Sequence, residues 1–393
     1  MAGALDGVKV VEFSRYVTGP YASMLLADMG AEVIKVETRP GGDPFRGWGG
    51  QGYTPTFSSL NRRKKSIALN IREKAGQEVL RKLLESADVF IENFRPGVMD
   101  KMGVGYDLMH EKNPGLIYCS ISGFGQTGPY RDWPGYDTIG QAMSGLMSLL
   151  TDPEDPKPMG YSLSDHLTGF FACYGVLSAL YSREKTGKGQ KVETSLLQAT
   201  TSFIQEMAAT HLASGEIPRR DTRVHNAQVY AFMAGDGKPF VIHLSSPPKF
   251  WQGLTVAVGM PELQEDERFK ERPGRQTGYD VLHGILADVF AKDDRDVWIQ
   301  KLRDNDVPCS PMYNLKEVFE DPQVQHLGMP IEVEHPTQGK VRLAGSPVNL
   351  SETPATFDLG APVLGEHTDE LLSGLGYSQA EIDEMRAQEV VEP

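Results

Sequence analysis

The chain has 393 residues, of which 40% are hydrophobic, and a formal net charge of −14 at pH 7. This length allows one large domain or two to three ordinary ones, with enough apolar residues for a sizeable core. The negative charge argues against nucleic acid and against an anionic membrane surface as partners, but a local basic pocket could still bind a small anionic ligand.

Strands and helices alternate through the first third of the chain. Residues 8–13 are rich in valine and predict a buried parallel strand. Pro20 is placed to open a helix over residues 21–29, and residues 31–37 predict the next strand. Further strands are predicted over residues 66–70, 88–92 and 116–122, with helices over 73–86 and 106–112. This alternation predicts an α/β fold in which helices flank a parallel sheet.

The loops that follow these strands are candidate ligand sites. The loop before Pro20 leads into a helix N-terminus, which suits a phosphate-bearing ligand, although the glycine fingerprint of dinucleotide-binding folds is absent. The turn at residues 93–97 also follows a predicted strand. The charged run at residues 61–65 is interpreted either as a solvated turn or as an anchor for the phosphates of a nucleotide.

The pattern changes near residue 200. Residues 228–233 and 239–243 predict two strands joined by a Gly-Asp-Gly turn, and apolar periodicity predicts helices after them. We predict a large domain over residues 1–200, a linker over 201–225, a smaller α+β domain over 226–330, and a C-terminal segment over 331–393.

Asp165 lies where a long helix is expected to begin. Ser162 and Ser164 are candidate N-caps, and Gly187 ends the helix. A carboxylate at this position faces free backbone N–H groups and the positive end of the helix dipole, which predicts that Asp165 is ionised. The local sequence alone favours a capping role. His166 points about 100° away around the helix and is interpreted as a packing or surface residue.

The segment around Asp165 resembles the catalytic segment of the class III CoA-transferases. The matching residues are Asp165, Thr168-Gly169 and the Arg-Glu-Lys-Thr-Gly-Lys-Gly-Gln run at 183–190. The family includes formyl-CoA transferase, carnitine CoA-transferase and the 2-methylacyl-CoA racemases. Further motifs match in order along almost the whole chain: Gly19-Pro20, residues 61–69, 92–97 and 122–125, Tyr136-Asp137, Gln141-Ala142, and Gly365-Glu366-His367-Thr368.

The resemblance implies a Rossmann-like large domain, a smaller domain, a C-terminal segment that returns to the large domain, and a homodimer of two interlocked rings. It also implies a set of residues that bind coenzyme A: Val17, Thr18, Leu69, Asn70, Ile71, Arg72, Asn93, Phe94, Arg95, Lys101, Tyr136 and Asp137. In this family an arginine after the second strand contacts the nucleotide. Thr38 takes that position here, and we assign the role to the next residue, Arg39.

By the same resemblance Asp165 is a nucleophile, a role compatible with capping. The implied activity moves coenzyme A from a donor acyl-CoA to a carboxylic acid through an aspartyl intermediate, without a metal. The glycine-rich loop of formyl-CoA transferases is missing here, and residues 243–249 take its place. Succinyl-CoA and a dicarboxylate are therefore the suggested pair. Lys249 either pairs with the second carboxylate or is solvated.

Two alternatives remain open. The first is a 2-methylacyl-CoA racemase, which uses a His/Asp pair for proton transfer at the α-carbon. Tyr136 stands where that histidine is expected, and tyrosine is a poor base at neutral pH. The second is an acyl-CoA binding protein without catalysis, which the presence of Asp165 disfavours.

The sequence also bears on the cellular compartment. The N-terminus has no basic region followed by an apolar core, and the longest apolar run is too short for a membrane span. Cys119, Cys173 and Cys309 are far apart, which predicts reduced thiols, and no His/Cys cluster has zinc spacing. We therefore predict a cytoplasmic protein with neither a metal nor a membrane partner.

Overall fold

A computed structural model of the protein describes residues 3–48 and 54–392. These residues form two compact units. The first comprises the described residues up to 147, with 158–208 and 326–392, and the second comprises 148–157 and 209–325. The second unit is thus inserted into the sequence of the first. Within the described ranges, no helix is both long and apolar enough to cross a membrane.

The first unit is built around a six-stranded parallel sheet. Its strands are β1 (Lys9–Phe13), β2 (Glu32–Thr38), β3 (Lys64–Leu69), β4 (Val89–Glu92), β5 (Ile117–Ser122) and β6 (Lys191–Ser195). They lie in the order β3-β2-β1-β4-β5-β6, and every pairing is parallel. The order reverses between β1 and β4, and open α/β sheets bind ligands beyond the carboxyl ends of the strands at such a point. The predicted fold class is confirmed.

Helices pack on both faces of this sheet because successive strand residues point to opposite sides. Val10 and Val33 join one core and Val11 and Ile34 another. The helices along this part of the chain are α1 (Thr18–Asp28), α2 (Pro55–Asn61), α3 (Lys74–Glu85), α4 (Val98–Lys101), α5 (Tyr106–Lys112), α6 (Asp137–Met143), α7 (Leu146–Leu150), α8 (Leu163–Thr186), α9 (Leu196–Phe203) and α10 (Gln205–Ser214). Gly187 ends α8 with φ +68°, as predicted.

The second unit contains a three-stranded antiparallel sheet with its own aromatic core. The strands β7 (Val229–Met233) and β8 (Pro239–His243) form the predicted hairpin, and β9 (Cys309–Pro311) pairs with β8. The helices are α11 (Thr222–Ala227), α12 (Pro248–Ala257), α13 (Arg272–Thr277), α14 (Tyr279–Phe290), α15 (Arg295–Asp304), α16 (Leu315–Glu320) and α17 (Pro322–His326). The boundaries of the predicted domains and the roles of those domains remain predictions.

The C-terminal segment packs against the edge of the parallel sheet. It contains the hairpin β10 (Pro330–His335) and β11 (Gly339–Ala344), followed by α18 (Thr368–Gly374) and α19 (Gln379–Ala387). Beyond α19, Val391 forms a β-bridge with Leu69, and the Asn70 N–H donates to the Val390 carbonyl (2.7 Å). The end of the chain thereby covers the exposed hydrogen-bonding groups of β3.

Buried charges connect the three strands β1, β2 and β3. Glu12 accepts hydrogen bonds from Lys35 Nζ (2.8 Å) and Lys64 Nζ (2.7 Å), and all three side chains are fully buried. Burial alone would raise the pKa of Glu12, but the charges and hydrogen bonds of the two lysines outweigh it and hold this pKa at about 2. Lys35 Nζ also donates to the Ser14 carbonyl, and Lys64 Nζ to the Pro20 carbonyl. The cluster therefore holds the start of the loop between β1 and α1 and the first turn of α1.

The charged run at residues 61–65 supplies some of the buried charges of the first unit. Arg62 pairs with Asp28 (2.6 Å), and Lys64 pairs with Glu12. Lys65 pairs with Glu32 and Glu370 at the surface. The interpretation as a solvated turn is wrong for Arg62 and Lys64, because both side chains are buried and paired with carboxylates. The interpretation as a phosphate anchor stays a prediction.

We expect Glu12→Gln to lower the free energy of unfolding by about 3–5 kcal/mol, because it leaves the buried ammonium group of Lys64 without an anion and that of Lys35 with Asp43 alone. The matched control is Glu32→Gln, which removes a carboxylate from the exposed pair with Lys65 and should cost less than about 1 kcal/mol. Urea titrations of the two variants and the parent measure both values. Equal losses of unfolding free energy in the two variants would show that the buried pairs of Glu12 stabilise the fold no more than the exposed pair of Glu32.

Candidate active site

A cavity of about 320 Å³ opens beyond the carboxyl ends of β1, β4 and β5. Its walls are the loop after β1 (residues 15–18), the turn after β4 (93–96), the end of β5 (121–123) and the loop before α6 (131–136), together with Asp165 and Leu196. The cavity therefore lies beside the reversal of strand order, where α/β sheets of this kind bind ligands.

Asp165 lies in the first turn of α8 and faces this cavity. Burial of the carboxyl group, and secondarily the charge of Asp137, raise the pKa of Asp165 to about 7. The prediction that the helix N-terminus keeps Asp165 ionised is therefore wrong, because desolvation and a second carboxylate outweigh the helix dipole. At neutral pH the group is divided between its protonated and ionised forms.

Asp137 fixes the backbone at Asp165. Its Oδ1 accepts a hydrogen bond from the Asp165 backbone N–H (3.1 Å), and its Oδ2 accepts one from Gln141 Nε2 (2.5 Å). Gln141 is fully buried and also donates to the Tyr161 carbonyl (2.9 Å). A carboxylate from α6 thus caps the start of α8, while Ser162, at the N-cap position, makes no side-chain capping bond.

The helix α8 approaches α1 closely at this point. A Cβ atom on Gly169 would lie 2.6 Å from the Thr18 carbonyl oxygen, so only glycine fits here. This contact brings the first turn of α8, which carries Asp165, beside the first turn of α1. His166 does not pair with Asp165: its Nδ1 bonds the Ser162 carbonyl, and its ring stacks on Tyr161.

The loop between β1 and α1 is held in one conformation by its neighbours. The Asn93 amide accepts from the Arg15 N–H (2.9 Å) and donates to the Arg15 carbonyl (2.7 Å) and to Thr18 Oγ1 (2.9 Å). Tyr16 has φ 63°, an unusual value for a residue with a side chain, and its N–H donates to Asp43 Oδ1 (3.2 Å). Contacts within the protein therefore hold the conformation of this loop, independently of a ligand.

Six of the thirteen residues that the resemblance implied for coenzyme A line the cavity with Asp165. These are Val17, Thr18, Asn93, Phe94, Arg95 and Tyr136. Asp137 is bonded to the Asp165 backbone and Tyr136 precedes it at the mouth of the cavity. The side-chain amide of Asn93 is hydrogen-bonded to the loop after β1. Direct contact of Asn93 with a ligand would therefore be made by its backbone.

The other implied residues lie elsewhere. Leu69 and Ile71 have buried side chains in the core, whereas Arg72 and Lys101 are exposed. Asn70 lies beside them, and its side-chain oxygen accepts from the Arg72 N–H. Arg39 contacts the C-terminal residues Glu389 and Glu392. Their predicted contacts with coenzyme A remain predictions.

Sequence reasoning missed four residues of the cavity wall that carry charge or aromatic surface: Arg15, Tyr16, Arg131 and Trp133. Trp133 stacks near Tyr130 (4.2 Å between ring centroids) in the loop before α6. The aromatic residues of that loop, Tyr130, Trp133 and Tyr136, are the signal in the sequence that could have indicated this wall. The role of Arg15 had no local signal.

No group of three or more His, Cys, Asp or Glu side chains among the described residues is placed to hold a metal ion. Cys119 and Cys173 are buried free thiols, and burial raises the pKa of each, Cys173 to about 12.

Comparison with known proteins identifies the family. A family model described as "CoA-transferase family III" matches residues 5–368. The chain belongs to that family. It is 36% identical to human "Succinyl-CoA:glutarate CoA-transferase", covering 99% of this chain and 90% of the relative. It is 34% identical to "Succinyl-CoA--D-citramalate CoA-transferase" of Chloroflexus aurantiacus, covering 98% of each.

Solved structures of similar chains agree with the family III assignment. A "CAIB/BAIF family protein from Brucella suis" superposes with a TM-score of 0.86 at 35% identity, covering 95% of this chain and 100% of the other. Rv3272 of Mycobacterium tuberculosis superposes with a TM-score of 0.84 at 30% identity, covering 94% of this chain and 99% of the other. The resemblance inferred from the ordered motifs is thus confirmed.

The raised pKa of Asp165 predicts a pH-dependent change in stability. Because this pKa is about 7 in the folded protein against an ordinary 3.8, the folded state holds the proton more tightly, and stability falls as the pH rises between these values. Asp165→Asn has no charge to desolvate, so it should melt at a higher temperature than the parent at pH 8 and at nearly the same temperature near pH 4.

Thermal melts from pH 4 to pH 8 measure this gap, with Asp383→Asn as a matched control at an exposed aspartate of α19. A gap for Asp165→Asn that does not widen with pH would contradict the raised pKa.

Proposed function

We propose that this family III protein transfers coenzyme A from a donor acyl-CoA to a carboxylic acid, with Asp165 as the nucleophile. The observation that carries the proposal is the position of Asp165 on the wall of the cavity, together with the loops implied to bind coenzyme A. The names of the relatives support the reaction class, since each of those reported is a CoA-transferase.

In the first half-reaction the ionised Asp165 attacks the thioester carbonyl of the donor. The carbon–sulfur bond breaks, coenzyme A leaves as a thiolate, and a mixed anhydride joins the donor acyl group to Asp165. The thiolate then attacks the aspartyl carbonyl, which releases the donor carboxylate and leaves Asp165 as a thioester of coenzyme A. Covalent catalysis of this kind divides one slow exchange into faster steps.

In the second half-reaction the acceptor carboxylate attacks the aspartyl thioester. This forms a second mixed anhydride and frees the thiolate, which attacks the acceptor acyl carbonyl and restores the Asp165 carboxylate. One thioester is exchanged for another, so the sequence needs no ATP and no redox partner. Backbone N–H groups in the first turn of α8, to which Asp165 belongs, would stabilise the oxyanions.

The environment of Asp165 suits this chemistry. A partly buried carboxylate with a pKa of about 7 is a stronger nucleophile than a solvated one, while an appreciable fraction stays ionised at neutral pH. Asp137 holds the Asp165 backbone N–H, which fixes the direction of attack. The two aspartates therefore have separate roles, one reacting and one positioning.

The substrates we propose are succinyl-CoA as the donor and a dicarboxylate as the acceptor. Two of the relatives are named for succinyl-CoA, paired with glutarate or with D-citramalate. Dicarboxylates also fit the chemistry of the cavity, because Arg15, Arg95 and Arg131 line it. A cation beside the reacting centre can bind the carboxylate that does not react.

One observation favours a second function, racemisation of a 2-methylacyl-CoA. A carboxyl group with a pKa near 7 is also suited to proton transfer at neutral pH. The partner base would have to be supplied by Tyr136, which occupies the position expected for histidine and is largely exposed. We therefore place this function second.

We also propose the domain roles and the homodimer implied by the family, in a cytoplasmic enzyme. The exposed side chains of Phe170, Tyr174 and Tyr181 follow one face of α8, and they support a surface that a second copy covers. Sedimentation velocity tests this, and a monomer at micromolar concentration would exclude the dimer.

We expect transfer from succinyl-CoA to a C5 or similar dicarboxylate to be much faster than to monocarboxylates of equal length. Incubation of the protein with succinyl-CoA and a panel of acids, followed by chromatography of the acyl-CoA products, measures this. The same panel in deuterium oxide reports wash-in at the α-carbon of 2-methylacyl-CoA. Wash-in without any transfer would contradict the proposed function and favour racemisation.

We expect Asp165→Ala to abolish transfer, by a factor of at least about 10³, because no covalent intermediate can form. In the parent protein, donor acyl-CoA followed by hydroxylamine should convert Asp165 to a hydroxamate, which peptide mass spectrometry detects. His166→Ala is the neighbouring control and should retain transfer. A parent protein that turns over without any adduct on Asp165 would refute the covalent route.

A further inference from the structure

Glu92 is a buried carboxyl group that the proposed mechanism does not use. It is the last residue of β4, and it is 5% exposed. Among the described residues no lysine, arginine or histidine forms a salt bridge with Glu92, whereas the buried Glu12 of β1 and Glu37 of β2 are each paired with a cation. Burying an acidic group without a cation costs free energy of folding, so stability alone does not explain a glutamate here.

The carboxyl group of Glu92 turns back onto the chain that follows it. Its Oε2 accepts a hydrogen bond from the Phe94 backbone N–H (2.8 Å), which closes the start of the turn after β4. Phe94 and Asn93 both line the candidate active-site cavity. The Asn93 side chain in turn bonds the backbone of Arg15 and Thr18 Oγ1, in the loop after β1. A single contact of Glu92 therefore supports two walls of the cavity.

Glu92 lines a second cavity, of about 170 Å³, together with Tyr118 and Ser120 of β5 and Lys191 of β6. Within the described ranges, Glu92 is not part of the wall of the candidate active-site cavity. Arg95 lines both cavities, so the turn after β4 is shared between them. Glu92 therefore acts on the candidate active site through this turn rather than by touching a substrate.

The charge on Glu92 changes near neutral pH. Burial raises the pKa of its carboxyl group to about 7, against the lowering effects of the Phe94 N–H, the Ser120 hydroxyl and the charge of Lys191, while Asp100 of α4 adds to the rise. The other charged or titratable side chains near Glu92 are Arg95, Tyr106, Asp107, Tyr118 and Cys119. An ionised carboxylate accepts a shorter and stronger hydrogen bond than a neutral carboxyl group. The hydrogen bond from the Phe94 N–H is therefore stronger above this pKa.

We propose that Glu92 is a positioning residue, which holds the turn after β4 through the Phe94 N–H in the conformation that binds the donor acyl-CoA. The proposal rests on the proposed function for the identity of that ligand. A turn that is already fixed in the unbound protein loses less conformational freedom when a ligand binds, so the donor binds more tightly. Glu92 thus lowers the stability of the fold, because its carboxylate is poorly solvated, and raises the affinity of a neighbouring surface.

Calorimetric titration with coenzyme A, at pH 6 and at pH 8, tests the proposal with two variants. Glu92→Met has nearly the same length but accepts no such hydrogen bond, so at pH 8 it should bind coenzyme A about 10-fold more weakly than the parent. Glu92→Gln accepts a hydrogen bond without a charge. It should bind like the parent at pH 6, where the parent carboxyl group is mostly protonated, and about 3- to 5-fold more weakly at pH 8.

The control for these titrations is Glu85→Gln, at an exposed glutamate of α3, which should bind like the parent at both pH values. Each variant is compared with the parent at the same pH, so titration of the coenzyme A phosphates affects both proteins equally.

Thermal melts separate positioning from a structural role. Because the pKa of Glu92 is about 7 in the folded protein against an ordinary 4.5, the folded state holds the proton more tightly, and stability falls as the pH rises between these values. Glu92→Gln has no charge to desolvate, so at pH 8 it should melt at a higher temperature than the parent. A variant that is more stable and yet binds more weakly shows that Glu92 serves binding rather than folding.

Three outcomes would overturn the proposal. The first is a Glu92→Met protein that binds coenzyme A as tightly as the parent at pH 8. The second is a ratio of affinities between Glu92→Gln and the parent that is the same at pH 6 and at pH 8. The third is tighter binding by Glu92→Gln than by the parent at pH 8, which would show that the carboxylate only repels an anionic ligand.

The test also separates this proposal from the proposed function, because the titrations contain no acceptor acid. A parent protein that binds coenzyme A but transfers nothing would refute the function and leave the comparison of the variants valid. A parent that transfers normally, while Glu92→Met has the same KM for the donor, would refute the role of Glu92 alone.

Discussion

The ion cluster around Glu12 is the constraint on which the rest of the first unit depends. One buried carboxylate is shared by two lysines from neighbouring strands, so β1, β2 and β3 cannot shift relative to one another without separating charges in a medium that cannot solvate them. The same lysines hold the Ser14 carbonyl at the start of the loop that lines the cavity and the Pro20 carbonyl in the first turn of α1. One set of contacts therefore links the interior of the sheet to the wall of the candidate site.

Much of the fold could be predicted from the sequence, because its strands are apolar runs and its turns carry Gly or Pro in the expected places. The parallel sheet with its flanking helices and the hairpin of the second unit followed from those patterns, whereas the strand order did not. The charged run at residues 61–65 could not be interpreted in this way. Its partners Asp28 and Glu12 lie 34 and 52 residues earlier, and nothing local distinguishes a cation that will be buried from one that will be solvated. Whether a cation of this run is buried depends on the carboxylates that other strands and helices bring to it.

The candidate site likewise has features that the sequence predicted and features that it did not. The place of Asp165 at the start of a helix was evident from capping residues and periodicity, but its protonation was not. Its pKa depends on burial and on Asp137, 28 residues earlier, which the fold brings to the same helix end.

The bridge between Val391 and Leu69 has a consequence for biosynthesis. Arg39 emerges from the ribosome 353 residues before its partner Glu392, and β3 likewise emerges well before Val391. During that interval the edge of the nascent sheet stays open to other chains, a condition in which chaperones are most useful. The inserted second unit, whose core is formed by residues from 230 to 307, can fold during this interval. A fusion partner inserted after residue 392 would therefore lie next to this late-closing edge.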